Sequence, residues 1–407
     1  MAMRTVDAPT TGVRANLGQF LLLIGVNALV GALVGQERTL VPLLGVETFG
    51  LRSASAVLAF VVAFGAAKAI ANLLTGHFAD RIGRRNLLIL GWAIGLPVPV
   101  IIMIAPSWGW VIAANALLGI NQGITWSLTL IMKMDLAGPR HRGLAASANE
   151  AAGYGAVAVS AWITGFLADR YGLRPEPLFL GVAFAGLGFI LSVIVRDTGG
   201  HTATQPSGSA PPSLKRTLLD VSFKDRQLGA VSRTGLVNNA TDAVAWGLLP
   251  VVFVEYGLDA GRVGTLAALY TGTWAVGQLF SGSASDRIGR RELIAAGMLV
   301  QGIAIVGFAS FEGFAAWAGL STVFGLGTAL VYPTLLAAVV DLSPPAERAR
   351  ALGVYRLWRD SGYVAGAVAA GLIADSFGSS ASIVTVGFLA AAAGLDAMVN
   401  LEKRRFV

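Results

Sequence analysis

The chain has 407 residues, 55% of them hydrophobic and only 13% charged, with a mean hydropathy of +0.68. Soluble domains average about 25% charged residues, so this composition cannot build a water-facing skin, and a soluble enzyme, a nucleic-acid reader and a disordered scaffold are excluded. The net charge of +7, from 30 Lys+Arg against 23 Asp+Glu, falls mostly between apolar runs, where basic residues set membrane topology.

There is no cysteine, which removes disulfides, thiolate catalysis and Cys-bound metal. His77, His141 and His201 are too scattered for a metal cluster. No metal and no cofactor are expected. Segment 1–16 is polar, is followed by no small-residue cleavage site, and reads as a cytoplasmic tail.

A membrane helix needs about 20 mostly apolar residues. In chain order, the first candidate spans are 17–44, 53–76, 87–105, 108–132, 143–168 and 178–195. The second six are 228–254, 263–284, 292–310, 314–340, 350–374 and 380–401. Segment 196–227, rich in Pro, Ser, Gly and charge, is a cytoplasmic loop between a bundle over 17–195 and a bundle over 228–401, with a short tail at 402–407. The 51 glycines occur inside the apolar runs as well, which suits close helix contact in lipid. If both termini are cytoplasmic, most Lys and Arg lie in inner segments, against Arg52, Arg170, Arg174 and Arg262 in outer loops. The positive-inside rule therefore places both termini inside.

The chain is also duplicated. Gly76-His-Phe-Ala-Asp80-Arg81-Ile-Gly83-Arg84-Arg85 follows the second span, and Gly282-Ser-Ala-Ser-Asp286-Arg287-Ile-Gly289-Arg290-Arg291 follows the eighth, 206 positions later. Asp135 and Arg142, six residues between them, recur at the same offset as Asp341 and Arg348. So does Gly165-Phe-Leu-Ala-Asp169, as Gly371-Leu-Ile-Ala-Asp375. Two six-span units in one orientation form a parallel repeat, typical of transporters that rock around a central site.

These motifs resemble those of the major facilitator superfamily over nearly the whole chain. The resemblance implies an all-α membrane protein: twelve transmembrane helices in two six-helix bundles related by a pseudo-two-fold axis, with a solute cavity between them. Spans 1, 4, 7 and 10 would line the cavity and spans 2, 5, 8 and 11 would flank it. The pattern departs from the superfamily's drug–proton antiporters at Gly119, where those carry an arginine before Gln122-Gly123, and in span 5, which has no proline. The repeated loops and the Asp135–Arg142 and Asp341–Arg348 pairs read as a cytoplasmic gate, in which the acids accept from arginines or sit at helix N-termini.

An ion at bilayer depth is costly unless paired or wet, and so defaults to a functional hypothesis. At 1.5 Å per residue, Lys68, Glu150, Arg359 and Asp360 all lie about 12–15 Å from the inner face, and the resemblance, which sets span 2 against span 11, implies a Lys68–Asp360 pair. The 206 offset makes Arg356 the mate of Glu150. Glu37 and Arg38 lie nearer the outer face, either as an interfacial pair or with Glu37 presented to the cavity. Asp242 lies in span 7 between Asn239 and Trp246, with polar Gln36 as its mate. Removal from water favours a carboxyl group's neutral form, the property a proton carrier needs, so the proton-coupling candidates are Asp242, Glu37, Glu150 and Asp360. Arg233 is shallower and is expected to snorkel to the inner interface. Asn121, Gln122, Trp126, Trp274, Gln278 and Tyr332 add a mixture of rings and amides that suits a small-molecule pocket.

The expectation is a secondary transporter of the bacterial inner membrane, working as a monomer and using a proton or other ion gradient to export a small organic solute. The alternative is uptake of an anionic solute, drawn by Arg38, Lys68, Arg356 and Arg359. A non-transporting sensor on the same scaffold is a third reading, and no enzyme motif is found.

Overall fold

The computed structural model describes residues 12–138, 141–199, 214–344 and 347–403, leaving out the side chains of His77 and Asp80 among others. Most of the expected N-terminal tail, part of the connecting loop including His201, and the last four residues lie outside the described residues.

Within the described residues the first bundle contains α1 (Leu17–Thr48), α2 (Ala54–Ile82), α3 (Arg84–Ile104), α4 (Trp108–Ala137), α5 (Arg142–Tyr171) and α6 (Leu178–Ile194). A short helix, Leu214–Leu219, precedes the second bundle of α7 (Arg226–Glu255), α8 (Ala260–Ile288), α9 (Arg290–Ser310), α10 (Phe314–Leu342), α11 (Arg348–Phe377) and α12 (Ser379–Asn400). Proline disturbs two of the helices, because it lacks an N–H and clashes with the preceding turn. Pro97 and Pro99 break α3. Wide π turns follow Pro42 in α1, at Leu44–Thr48, and follow Asp242 in α7, at Val244–Leu248. Between α2 and α3, and again between α8 and α9, a single residue reverses the chain: Gly83 at φ 88° and Gly289 at φ 117°. Only glycine takes that conformation without strain.

Eight of these helices are long and apolar enough to cross a bilayer on composition alone. The other four have physical reasons. α6 has 17 residues, while α4, α8 and α11 carry polar groups such as Gln122, Gln278, Arg359 and Asp360, buried against other helices. Large apolar side chains such as Trp162, Phe166, Phe280 and Phe388 point outward instead, an apolar surface suited to lipid.

The bundles meet along two seams, α2 with α11 and α5 with α8. At the outer end of the first, Asp375 of α11 accepts from Ser53 Oγ (2.8 Å) and from the backbone N–H of Ala54 (2.6 Å) and Ser55 (3.1 Å), capping α2 from the other bundle. At the outer end of the second, Gly165 and Gly264 are so close that a methyl group on either would meet backbone atoms of the other at 2.9 Å. Gly282 lies five helical turns inward from Gly264, and Gly353 five turns inward from Gly371, on the same helix faces. A methyl group at Gly282, Gly353, Gly76 or Gly143 would meet nothing within 4 Å. The two bundles are thus locked together at the end that carries Ser53 and Gly165, with open space beside Gly76, Gly143, Gly282 and Gly353 at the other end.

Candidate central cavity

A small cavity of about 30 Å³ lies between the bundles. α2 contributes Lys68 and Asn72, α4 Gln122, Trp126 and Ser127, α5 Tyr154, α10 Tyr332, and α11 Arg356, Arg359 and Asp360. Helical spacing explains the set from α11, since residues three and four apart share a face.

Lys68 Nζ lies 3.2 Å from Asp360 Oδ1, and Asn72 Nδ2 donates to the other oxygen of Asp360. Glu150 is satisfied by neutral donors: Trp126 Nε1 (2.9 Å) and Asn149 Nδ2 (3.1 Å) donate to one oxygen, Tyr332 OH (3.1 Å) to the other. Its symmetry mate Arg356 donates to Ser127 Oγ at 2.9 Å. Arg359 packs 4.0 Å over the Tyr332 ring and stands 4.0 Å from both Asp242 Oδ2 and Asp360 Oδ1. Asp242 is fully buried; Tyr270 OH donates to its Oδ1, and Oδ2 has no hydrogen-bond donor.

The outer layer differs. Glu37 and Arg38 are 2% and 1% exposed, enclosed by protein. The Arg38 guanidinium lies against Phe64 (4.1 Å), Trp246 (5.3 Å) and Phe60 (5.5 Å), and none of its nitrogens has a hydrogen-bond acceptor. Trp246 stacks on Tyr363, and the amide of Asn239 is buried without partners. Gln278 is likewise buried with both amide atoms unpartnered.

Two residues expected in the cavity face their own bundle. Gln36 Nε2 donates to Pro177 O at 2.7 Å, bracing the start of α6, and Asn121 Nδ2 donates to Gly91 O at 2.9 Å, in α3. Arg233 is exposed. It pairs with Asp396 of α12 at 2.9 Å.

The gate is wired differently from the sequence expectation. Asp135 pairs with Arg84, not Arg142, and Asp341 with Arg290 (3.0 Å), not Arg348. Arg348 Nε donates instead to Val340 O (3.0 Å), and Arg142 is exposed. The arginines just past the glycine turn reach back to the end of α4 or α10, so each network ties one bundle together. Arg290 also pairs with Asp286 (2.6 Å) and Arg291 with Glu292 (3.1 Å), while Arg81 and Arg287 are exposed. The side chain of Asp80 lies outside the described residues. In the first bundle Arg85 donates to Val195 O (2.8 Å) and Val193 O (2.7 Å), and its N–H donates to Asp197 (2.9 Å). Burial pushes the Asp197 carboxyl up, but the N–H groups of Arg85 and Gly199 and the Arg84 guanidinium outweigh it and hold the carboxyl below its usual range.

Sequence reasoning missed several residues. Lys133 is buried inside α4, donating to Leu23 O at 3.3 Å, because α4 runs a turn past the expected end of that span. Tyr154 packs against Trp274 with centroids 3.6 Å apart and ring planes 31° apart, and Tyr270 holds Asp242. The repeat offset could have found Tyr154, since it is the mate of Asp360, just as Trp274 is the mate of Lys68.

Both halves of the chain match the family model for the Major Facilitator Superfamily, over residues 16–232 and 231–405. The chain belongs to that superfamily. This transporter is 29% identical over 353 residues to an uncharacterized MFS-type transporter of Salmonella typhimurium, covering 83% of this chain and 85% of that one. It is 22% identical over 348 residues to the multidrug resistance protein MdtG of Enterobacter lignolyticus, covering 82% and 80%. The solved nucleoside transporter NupG superposes with a TM-score of 0.75 at 14% identity, over 95% of this chain and 100% of that one, a likeness of fold. Superfamily membership makes the chain a multi-pass membrane transporter of small molecules, not an enzyme.

Proposed function

We propose that this transporter moves a small organic solute across the bacterial inner membrane by rocking its two bundles, as a monomer with both termini in the cytoplasm, and that Asp242 carries the coupling proton. The observation that carries this reading is the pair formed by Asp242 and Arg359. The carboxylate is fully buried, keeps one oxygen without a hydrogen-bond donor, and stands 4.0 Å from a guanidinium beside the cavity. A proton on Asp242 removes the charge that holds Arg359, so protonation alters the cavity wall directly. Glu150 is a weaker carrier because three neutral donors already satisfy it.

Export in exchange for protons is the direction favoured by similarity to a protein named for multidrug resistance. A second reading, co-transport of an anion with the proton into the cell, is favoured by the cations of the cavity. An anion that draws Arg359 from Asp242 leaves that carboxylate without its counter-charge and makes it easier to protonate, so anion and proton would travel together.

The test is solute flux into proteoliposomes under an imposed pH gradient. Wild-type flux should follow the gradient, and Asp242→Asn should lose that dependence while retaining exchange of solute for solute. If the Asn variant keeps full gradient-driven flux, Asp242 is not the carrier.

A further inference from the structure

Three cations, Lys68, Arg356 and Arg359, line the cavity against one carboxylate in its wall, Asp360; behind the wall Asp242 stands 4.0 Å from Arg359, and Glu150 is held by neutral donors. Asp360 is engaged by Lys68 at 3.2 Å and by Asn72. Arg356 has no carboxylate within 4.0 Å among the described residues, and its Nη1 donates only to Ser127 Oγ. Arg359 is 4% exposed; its Nε and Nη2 have no hydrogen-bond acceptor, and its nearest carboxylate oxygens are 4.0 Å away. A buried donor left unmade costs more than an ordinary hydrogen bond contributes, and guanidinium groups are built for bidentate capture of carboxylate or phosphate.

The remaining walls are aromatic. Trp126 and Tyr154 have centroids 5.2 Å apart, Tyr332 stands edge-on to Tyr154, and the Arg359 guanidinium lies 4.0 Å from the Tyr332 centroid. Gln122 Oε1 is buried on the same wall without a donor, a place for an N–H or O–H on the solute.

We propose that the solute is a planar organic anion, whose carboxylate or phosphate sits between Arg356 and Arg359 and whose ring lies along Trp126, Tyr154 and Tyr332. The resting cavity of about 30 Å³ admits the charged end, and the ring is received along those aromatic walls as the bundles move apart. This rests on the transport reading of the same cavity and adds the substrate class to it. Of the two directions, it selects anion and proton moving together.

The test is thermal stability of the purified full-length protein with three probes of similar size: 1-naphthoate, the neutral 1-naphthamide, and the cation tetraphenylphosphonium. Naphthoate should raise the unfolding temperature, and the other two should not. Arg356→Gln should weaken naphthoate about tenfold or more, and Arg356→Lys, which keeps the charge on a half-buried stem, should restore part of that loss and report that the fold is intact. Stabilisation by tetraphenylphosphonium and not by naphthoate overturns the proposal, as does equal binding of naphthoate and naphthamide. Naphthoate binding without any gradient-driven flux in proteoliposomes would leave the anion site standing and remove the transport reading. Gradient-driven flux of a cation alone would do the reverse.

Discussion

At mid-membrane the α2–α11 seam closes on Lys68 and Asp360, whereas the α5–α8 seam closes on Trp274 and Tyr154, their mates at the 206 offset. The outer ends differ in the same way. α2 is capped across the seam by Asp375 of the other bundle, while α8 is capped by its own Asp259, which accepts from the N–H of Arg262 at 2.7 Å. Asp169, the mate of Asp375, is exposed. One backbone plan therefore carries a charged seam and an aromatic one. An ion pair answers to protons and to competing ions; a ring stack answers to neither. On this account the α2–α11 seam responds to solute and proton, and the α5–α8 seam is the pivot.

The largest effect should come from the pivot. Trp274→Ala removes a fully buried ring and should cost about 3–5 kcal/mol of stability, read as thermal unfolding in detergent. Lys68→Met leaves Asp360 buried with Asn72 and, at 4.0 Å, Arg359 as its remaining partners, and should cost nearly as much, about 3 kcal/mol. The double variant Lys68→Met with Asp360→Leu should regain most of that stability and still fail to transport. Equal loss of transport with no regained stability would mean that the charged seam is structural.

Asp375→Asn weakens the cap on α2 and should cost about 1 kcal/mol, weighting the molecule toward an open outer face. A cysteine introduced as Ser55→Cys should then react faster with an impermeant thiol reagent, a clean readout in a chain without cysteine. The smallest effect concerns the inner loop. Because the Asp197 carboxyl is held below its usual range, its contribution is complete above the ordinary carboxylate value and is lost as pH falls through the depressed one. The protection factor of the Arg85 amide, its exchange rate relative to an unstructured chain at the same pH, should fall in acid in the wild type, and Asp197→Asn should flatten that dependence.

Spans, halves and the loop motif were legible because hydropathy and a fixed offset survive without knowledge of packing. The depth of Lys68 and Asp360 was legible too, since rise per residue fixes it. Rotation was not. Gln36 and Asn121 lie at cavity depth, yet each turns its amide to a carbonyl of its own bundle, and nothing in a uniformly apolar helix marks which face meets which neighbour. The gate partners failed for a related reason: Arg84 and Arg142 are both within a few residues of the inner face, and only the turn at Gly83 aims Arg84 back at Asp135. Lys133 escaped notice because a lysine at a span's end looks like an anchor until the helix continues past it.

The central claim is that the two faces of the molecule open in turn. Spin labels at Gly143→Cys and Gly282→Cys report the gap between the inner ends of α5 and α8, measured by double electron–electron resonance in lipid. The account predicts two separations, the longer one dominant without solute, with their balance moved by pH and by a transported solute. A single separation that ignores both would contradict it.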